Sequence, residues 1–441
     1  MKKTILFAAL VSFIASPAFG DDDDCGHRGT PPTGNGRATV IGQPVPGLTA
    51  QQRALFDAGK VAYERNFTVA DGLGPVFRGK SCAECHGFPV TGGQDPAGTA
   101  NNVTHFMLFN QGQFFLALEQ GGPVVQHRTI RDEPGGAGCN ISGEVVPALP
   151  GVTTSLRHSP PVFGFGLLDA VPDSEILEWQ GKKPWKDPGV IGAANWGLEL
   201  EALVRLQAFT FDITRRQPAG IPRVGRFGWK AQTATVFQFT TEPFNIELGI
   251  STPYFPRENH PQGAQLPPEC RLGPAQPNDV GSQNSVKLYH FQALIGAPPT
   301  LPKSPRARYG EFIFQAAGCA DCHRPSMRTA KDYYLANTDG TAQRVEALSN
   351  KEIFPYSDLL VHDMGPALED GRVMGRASGR FWRTTPLWGI RFKDHFMHDG
   401  RATSVDEAID MHGGEAAHST ALYEALNPAQ EAALLEFING L

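Results

Sequence analysis

The sequence lacks the features that define several large classes of protein. No block of lysine and arginine occurs in the 441 residues, and the formal net charge is −6. We therefore expect neither nucleic acid nor anionic lipid as a partner. Beyond the first fifteen residues there is no apolar run of about 18 residues, the length that a membrane span needs. Strand patterns are also weak, and no strand–helix–strand pattern surrounds any cysteine pair.

The N-terminus has the pattern of an export signal. Lys2 and Lys3 precede the apolar stretch Ile5 to Ala15, and Ala18-Phe19-Gly20 supplies small residues where a signal peptidase cuts. We predict that residues 1–20 are a cleaved signal peptide and that residues 21–49 form an N-terminal tail. An exported chain matures in an oxidising compartment, where disulfides persist.

The chain has seven cysteines, and four of them belong to two copies of one motif. Cys25, Cys139 and Cys270 remain. Sequence does not fix disulfide connectivity, but we expect one bridge, between Cys139 and Cys270.

The repeated motif is Cys-x-x-Cys-His, in "GKSCAECHGFP" and "GCADCHRPS". Zinc would require a second cysteine or histidine pair, usually within about 20 residues, and the second copy begins only at Cys319. A redox dithiol would require a thioredoxin-like strand–helix–strand setting, which is missing. Covalent haem requires nothing more, because two thiols on one turn can meet the two vinyl groups while the histidine binds iron.

Haem c attachment outside the cytoplasm agrees with export, so we predict a periplasmic protein with two covalently bound haem c groups. Zinc and dithiol chemistry remain as the weaker alternatives. The predicted attachment and proximal residues are Cys82, Cys85 and His86 for the first haem and Cys319, Cys322 and His323 for the second.

Two short echoes suggest that the chain repeats one plan. Gly59 and Tyr63 precede the first motif as Gly310 and Phe314 precede the second, and "SPPVFG" and "TTPLWG" follow them in the same order. Apolar spacing of three and four predicts helices in "GLELEALVRLQAF", "NSVKLYHFQALIG" and "NPAQEAALLEFINGL". We predict a mainly α protein with two cytochrome c-like haem domains at 50–215 and 305–441. Long irregular loops and a connecting region at 216–304 complete it.

Several longer blocks carry a family resemblance. "DGLGPVFRGKSCAECH", "SPPVFGFGLLDAVPDSEI", "PYSDLLVHDMGPALEDGR", "WRTTPLWGI" and "FMHDGRATSVDEAIDMHGGEA" resemble the dihaem oxidoreductases often labelled thiol oxidoreductases or peroxidases. That family is similar to bacterial dihaem cytochrome c peroxidases. The resemblance covers residue 50 to the end and implies two cytochrome c folds, with one reactive haem and one electron-relay haem.

The resemblance also implies a distal ligand for the second haem. In the peroxidases it follows an "HDG" motif, which places His412 at that position, with Met364 and His362 as alternatives. A histidine pair gives a lower potential than histidine with methionine. The competing interpretation of His412 is a helix-end histidine that bonds carbonyl groups before a glycine.

The distal side of the first haem is less defined. Asp169 is the predicted catalytic acid, with Glu175 behind it; His158 is a candidate displaceable ligand, and His105 and His127 stay open. A surface or capping carboxylate is the alternative for Asp169. Trp229 is either an electron relay between the haems or a core tryptophan, and Arg401 is a candidate partner of a haem propionate.

These expectations favour a peroxidase-like haem oxidoreductase. Peroxide would react at the first haem, and electrons would come through the second from a small cytochrome c, a cupredoxin or a substrate protein. The alternatives are a non-catalytic dihaem electron carrier and an oxidase of thiols or partner side chains. A calcium ion between the domains is implied by the resemblance, without a recognisable ligand loop in the sequence.

Overall fold

The computed structural model describes residues 40–110, 113–115, 121–182, 189–199, 211–212, 217–218, 221–271, 279, 283–337 and 341–441. The predicted signal peptide at 1–20 and Cys25 lie outside this part of the chain. No helix within it is both long enough and apolar enough to cross a membrane.

The α-helices are short or of medium length. In chain order they are α1 Ala50–Glu64, α2 Phe165–Asp169, α3 Asp173–Leu177, α4 Val236–Ile246, α5 Gln283–Leu294, α6 Pro305–Ala316, α7 Val405–Asp410, α8 Ala417–Glu424 and α9 Pro428–Asn439.

Most strands are only two or three residues long. They are β1 Val76–Phe77, β2 Val103–Asn110, β3 Gln113–Phe115, β4 Arg128–Thr129, β5 Val152–Arg157, β6 Trp196–Glu199, β7 Phe211–Asp212, β8 Gln217–Pro218, β9 Ile221–Val224, β10 Met327–Arg328, β11 Tyr334–Ala336, β12 Ala342–Arg344, β13 Glu352–Ile353, β14 Val361–Asp363 and β15 Phe381–Arg383. The largest sheet that the structure describes is antiparallel, in the order β3–β2–β5. The other pairs are β1–β4, β6–β9, β7–β8, β10–β13, β11–β12 and β14–β15, all antiparallel.

Two equivalent helix pairs support the repeated plan. Helix α1 packs on α5, and α6 packs on α9. A side chain at Gly59 would put its Cβ 2.4 Å from the carbonyl oxygen of Lys287, and one at Gly310 would lie 1.9 Å from that of Ala433. Glycine at these two positions therefore lets each pair of helices approach closely. The echo noted in the sequence corresponds to a repeated helix contact.

The buried apolar side chains form two main clusters. The larger runs from Val45 to Ala297 and also includes residues between Met327 and Leu360 together with Trp388. The smaller is built by α6, α9 and the residues around Tyr356 and Phe396. Side chains that follow the second motif thus complete the larger core. The division into haem domains at 50–215 and 305–441 stays a prediction.

The helix predictions for "NSVKLYHFQALIG" and "NPAQEAALLEFINGL" are confirmed by α5 and α9. At the start of α9, Asn427 accepts hydrogen bonds from the backbone of Ala429 and Gln430, and Pro428 occupies the first helical position. The helix predicted from Gly197 is wrong over its first residues, because β6 pairs with β9 from Trp196 to Glu199. That partner lies more than twenty residues away, so local spacing could not reveal the pairing.

The predicted disulfide is confirmed. Cys139 and Cys270 are bonded, with their Cα atoms 4.6 Å apart, and both are buried. The bridge joins the segment after the first motif to the loop that precedes α5.

Candidate functional sites

Both cysteine motifs fold into the same turn. Cys82–Glu84 and Cys319–Asp321 are single 3₁₀ turns, and in each the backbone N–H of the histidine donates to the carbonyl of the first cysteine at 2.9 Å. None of the four cysteines forms a disulfide. This turn places two thiols and one imidazole on one side of a short segment, as covalent haem attachment requires.

The two motif histidines are held in the same way. His323 donates through Nδ1 to the carbonyl of Tyr356 at 2.9 Å, and Nδ1 of His86 lies 3.3 Å from the carbonyl of Gly93. Burial lowers the pKa of each imidazole to about 4, so both are neutral at pH 7. A neutral imidazole whose Nδ1–H is engaged presents Nε2 to a metal.

The environments of these histidines repeat as well. The ring of Tyr63 lies 6.3 Å from that of His86 at 58°, and the ring of Phe314 lies 6.5 Å from that of His323 at 57°. Helices α1 and α6 therefore support the two imidazoles through equivalent aromatic residues.

The second motif lines a largely apolar cavity of about 200 Å³. His412, at the end of α7, faces His323 there, with ring centroids 6.5 Å apart. His412 engages its Nδ1 with the carbonyl of Ala408 at 2.6 Å. A metal–imidazole bond is about 2 Å long, so two rings on one ion have centroids roughly 6 Å apart. The pair therefore fits one haem iron between two Nε2 atoms.

The two alternative ligands differ in their availability. Met364 lines the same cavity. His362 also reaches it, but Nε2 lies 3.0 Å from Asp358, and Nδ1 lies 2.9 Å from Glu415 and 3.7 Å from the Cys322 sulfur. Burial alone would lower the pKa of His362, yet these neighbours raise it well above its usual value. Both ring nitrogens are engaged, so His362 has no lone pair for a metal.

The first motif lines a more polar cavity of about 160 Å³. Glu242, in the C-terminal half of α4, and Glu247, the residue after this helix, face into it, and burial raises the pKa of each to about 7. The charge of Glu247 contributes to the raised pKa values of Cys82 and Cys85. Glu247 thus lies on the thiol side of the cavity, whereas Glu242 interacts with Arg372.

Three arginines also line this cavity: Arg78, Arg157 and Arg372. Arg372 is 1% exposed, and its Nε and Nη1 have no hydrogen-bond partner within the described residues. A buried guanidinium with free donors is suited to a carboxylate. The cations of this cavity are therefore suited to the propionate carboxylates of a haem.

Of the residues predicted to lie at the first haem, some line the first-motif cavity and others do not. His105 and His158 line the cavity, and Nε2 of His158 has no hydrogen-bond partner among the residues described. His127 contacts Arg78 at 2.9 Å and does not line the cavity.

The two predicted acids lie elsewhere. Asp169 accepts hydrogen bonds from the Tyr333 hydroxyl at 2.7 Å and the Val236 N–H at 3.2 Å, and it lines a separate cavity. Glu175 lies 3.6 Å from Arg324. The position of Asp169 lends no support to its predicted role as the acid at the first haem.

Trp229 lines both motif cavities and donates through Nε1 to the carbonyl of His158 at 2.9 Å. It lies between the two candidate haem sites, as the relay hypothesis requires. Arg401 pairs with Asp399 and lines neither cavity.

Sequence reasoning missed Glu242, Glu247 and Arg372. The available signal was "TTEPFNIELG", in which two acids enclose Pro243, Phe244 and Ile246 at the end of α4. Within the described part of the chain, no group of three or more His, Cys, Asp or Glu residues could hold a further metal ion.

Comparison with known proteins identifies a family for this chain. The model of the family described as "Di-haem oxidoreductase, putative peroxidase" matches residues 140–441. No curated protein matches the chain.

Three of the solved structures that are similar to this chain share little sequence identity with it. Hydrazine synthase from Kuenenia stuttgartiensis has 13% identity and a TM-score of 0.36, with 97% of this chain and 100% of that chain covered. A MauG-like protein associated with microbial copper homeostasis has 15% identity and a TM-score of 0.32, with 92% of this chain and 93% of that chain covered. A variant of the diheme peroxidase BthA from Burkholderia thailandensis has 13% identity and a TM-score of 0.34, with 92% of this chain and 89% of that chain covered. The family match spans more than half of the sequence and includes the second motif; the chain belongs to the dihaem oxidoreductase family.

Proposed function

We propose that the protein is a periplasmic, peroxidase-like oxidoreductase with two covalently attached c-type haems. Cys82 and Cys85 would hold the reactive haem, with His86 as its proximal ligand. Cys319 and Cys322 would hold the relay haem, with His323 and His412 as its two axial ligands.

The observation that carries this proposal is the difference between the two cavities. In the second cavity an imidazole lies opposite the motif histidine at a separation suited to one iron. In the first, His105 and His158 share the lining with carboxylates and cations, and among the described residues no histidine ring pairs with that of His86 as His412 pairs with His323. Two imidazoles saturate an iron for electron transfer, whereas an exchangeable sixth position admits a small oxidant.

We propose Glu242, beside the buried cation Arg372, as the residue that moves a proton in the first cavity. With a pKa near 7 it can accept and return a proton at neutral pH, the property expected of a general acid–base. We propose that its carboxylate takes a proton from one oxygen of hydrogen peroxide and returns it to the other, the leaving oxygen. Arg372 lies close enough to lower the pKa of Glu242 and would orient its carboxylate. When bound, a haem with a proximal histidine supplies the electrons for oxygen–oxygen cleavage.

Trp229 would connect the two sites, because it touches both cavities. A single indole between two redox groups shortens the path that an electron must cross. The donor to the relay haem would be a small cytochrome c, a cupredoxin or a substrate protein. Oxidation of thiols and simple electron carriage are the alternatives that the experiment below separates.

The test is the optical and EPR response of the haem-loaded protein to peroxide and to cyanide. We expect one haem to respond to both and the other to neither. Glu242→Gln should slow the reaction with peroxide by roughly 10²-fold, whereas Glu424→Gln, at an exposed position on α8, should not. Two unresponsive haems would favour the electron-carrier alternative.

A further inference from the structure

A third cavity of about 680 Å³ lies apart from both cysteine motifs. Asp169, Tyr289 and Tyr333 line its inner part, and Tyr334, 47% exposed, lies at its edge. Neither motif contributes a residue to it. Its size is within the range of small-molecule sites.

A chain of hydroxyl and carboxylate groups opens into this cavity. The Tyr333 hydroxyl donates to Asp169 at 2.7 Å and is also hydrogen-bonded to the Tyr289 hydroxyl. All three side chains are buried. A phenol within hydrogen-bond reach of a carboxylate can release its proton at the moment it loses an electron, so it need not form a charged radical in a buried place.

The carboxylate is suited to receive that proton. Burial raises the pKa of Asp169, and the cations Arg223 and Arg226 oppose this effect without cancelling it. Its other oxygen accepts from the backbone of Val236 at 3.2 Å, which fixes its orientation.

The same contact connects the third cavity with the first motif. Val236 is the first residue of α4, and Phe239, Thr240 and Glu242 of that helix line the first-motif cavity. At 1.5 Å per residue, Thr240 lies about 6 Å along the helix from Val236. Phe165 of α2, the helix that ends at Asp169, packs on Phe239 with ring centroids 5.4 Å apart. Packed protein thus links Tyr333 to the first haem site over a short distance.

We propose that Tyr333, with Asp169 as its proton acceptor, is a site at which a phenolic substrate bound in the third cavity is oxidised by one electron. The inference rests on the proposed peroxidase-like function, which supplies the oxidant. Three tyrosine rings offer aromatic contact to a phenol, and Arg223 and Asp332 add polar groups at the lining.

The step balances as follows. Tyr333 gives one electron to the first haem after that haem has been oxidised by peroxide, and its O–H proton passes to Asp169. The bound phenol then gives one electron and its O–H proton to the Tyr333 oxygen, which restores tyrosine and leaves a phenoxyl radical. Asp169 releases its proton to solvent through the cavity. Two such events supply the two electrons that reduce one hydrogen peroxide to water.

The experiment uses the haem-loaded protein mixed with hydrogen peroxide and frozen for EPR, with 2-methoxyphenol as the substrate probe. We expect a tyrosyl signal that narrows when the protein contains ring-deuterated tyrosine and that disappears in Tyr333→Phe. Oxidation of 2-methoxyphenol should fall by roughly 10²-fold in Tyr333→Phe. Oxidation of ferrocyanide, which transfers no proton, should persist. Tyr309→Phe, on α6 and outside all three cavities, is the matched control.

Asp169→Asn keeps the side-chain volume and removes the proton acceptor, so it should also abolish the radical. Unchanged thermal unfolding of Tyr333→Phe would exclude misfolding as the cause of its lost signal. A tyrosyl signal and phenol oxidation that survive Tyr333→Phe would overturn the inference. If peroxide changes the haem spectrum but no tyrosyl radical forms, this inference alone fails. If peroxide leaves both haems unchanged, the proposed function fails and takes the inference with it.

Discussion

His412 faces His323 across the second-motif cavity, with the two ring centroids 6.5 Å apart. The Nδ1 atom of each ring is engaged by a backbone carbonyl, that of Ala408 or that of Tyr356. Each imidazole is thereby oriented by its own backbone contact, and the Nε2 atoms are left for a single ion. We propose that this relationship distinguishes a relay haem site at His323 from a reactive haem site at His86.

Replacing His412 tests its proposed role as the second axial ligand of the relay haem. His412→Ala should convert the second haem from low spin to high spin, because the iron loses its second imidazole. His412→Met should restore low spin with a higher potential. EPR and redox titration measure both effects, and His418→Ala, an exposed position on α8, is the control. An unchanged low-spin signal in His412→Ala would assign the ligand elsewhere, with Met364 the next candidate.

The proposed role of Glu242 predicts how the rate of reaction with peroxide depends on pH. Its carboxylate must be ionised to accept the first proton from peroxide, and its pKa is about 7. The second-order rate with peroxide should therefore rise as pH increases through about 7 and level off above it. Stopped-flow measurement of Glu242→Gln should show a slow rate without this limb. The same limb in the variant would exclude Glu242 as the group responsible.

The ion cluster beneath the second haem site predicts a large stability effect. His362 lies between Asp358 and Glu415, and all three are largely buried. His362→Gln would leave two carboxylates without their cation, so we expect a loss of about 3 to 5 kcal/mol in the free energy of unfolding. Denaturant titration of the variant measures it. His418→Gln, at an exposed position on α8, should change stability little, and equal stability of the two variants would contradict the account.

The disulfide predicts a second stability effect. Cys139 and Cys270 are 131 residues apart in sequence, so the bridge closes a long loop in the unfolded chain. The double variant Cys139→Ser, Cys270→Ser should lose about 3 to 5 kcal/mol. Thermal unfolding of oxidised and reduced wild type provides the comparison. A double variant as stable as the oxidised protein would show that the bridge adds nothing.

The repeated helix contact gives a further prediction. Gly310→Ala would place a methyl group 1.9 Å from the Ala433 carbonyl oxygen, which should force α6 and α9 apart and cost about 1 to 3 kcal/mol. Gly138→Ala, where nothing lies within 4 Å, is the control. Similar unfolding midpoints for the two variants would contradict the close approach.

The residues that sequence could predict are those fixed by neighbours along the chain. Cys319, Cys322 and His323 share one turn, and α9 carries its own cap, so local spacing is sufficient for both. His412 is 89 positions beyond His323 and was reached only through family resemblance. The contact of His412 with the carbonyl of Ala408, one helical turn away, is the one that the helix-end interpretation predicted.

The remainder depends on packing between distant segments. Asp169 looked like a haem-site acid, but α2 directs it to Tyr333 and Val236 instead. Glu242 was not among the predicted site residues, and only the fold brings it into the first-motif cavity. The short strands escaped notice for the same reason, since β1 pairs with β4 about fifty residues away. Such contacts are tertiary and leave no local pattern.

The most direct test of the central claim is a cyanide titration of the oxidised, haem-loaded protein followed by EPR. The account predicts two ferric species: one bis-imidazole low-spin signal that cyanide leaves unchanged, and a second signal that cyanide converts. Conversion of both signals, or of neither, would contradict the division into a reactive haem at His86 and a saturated relay haem at His323.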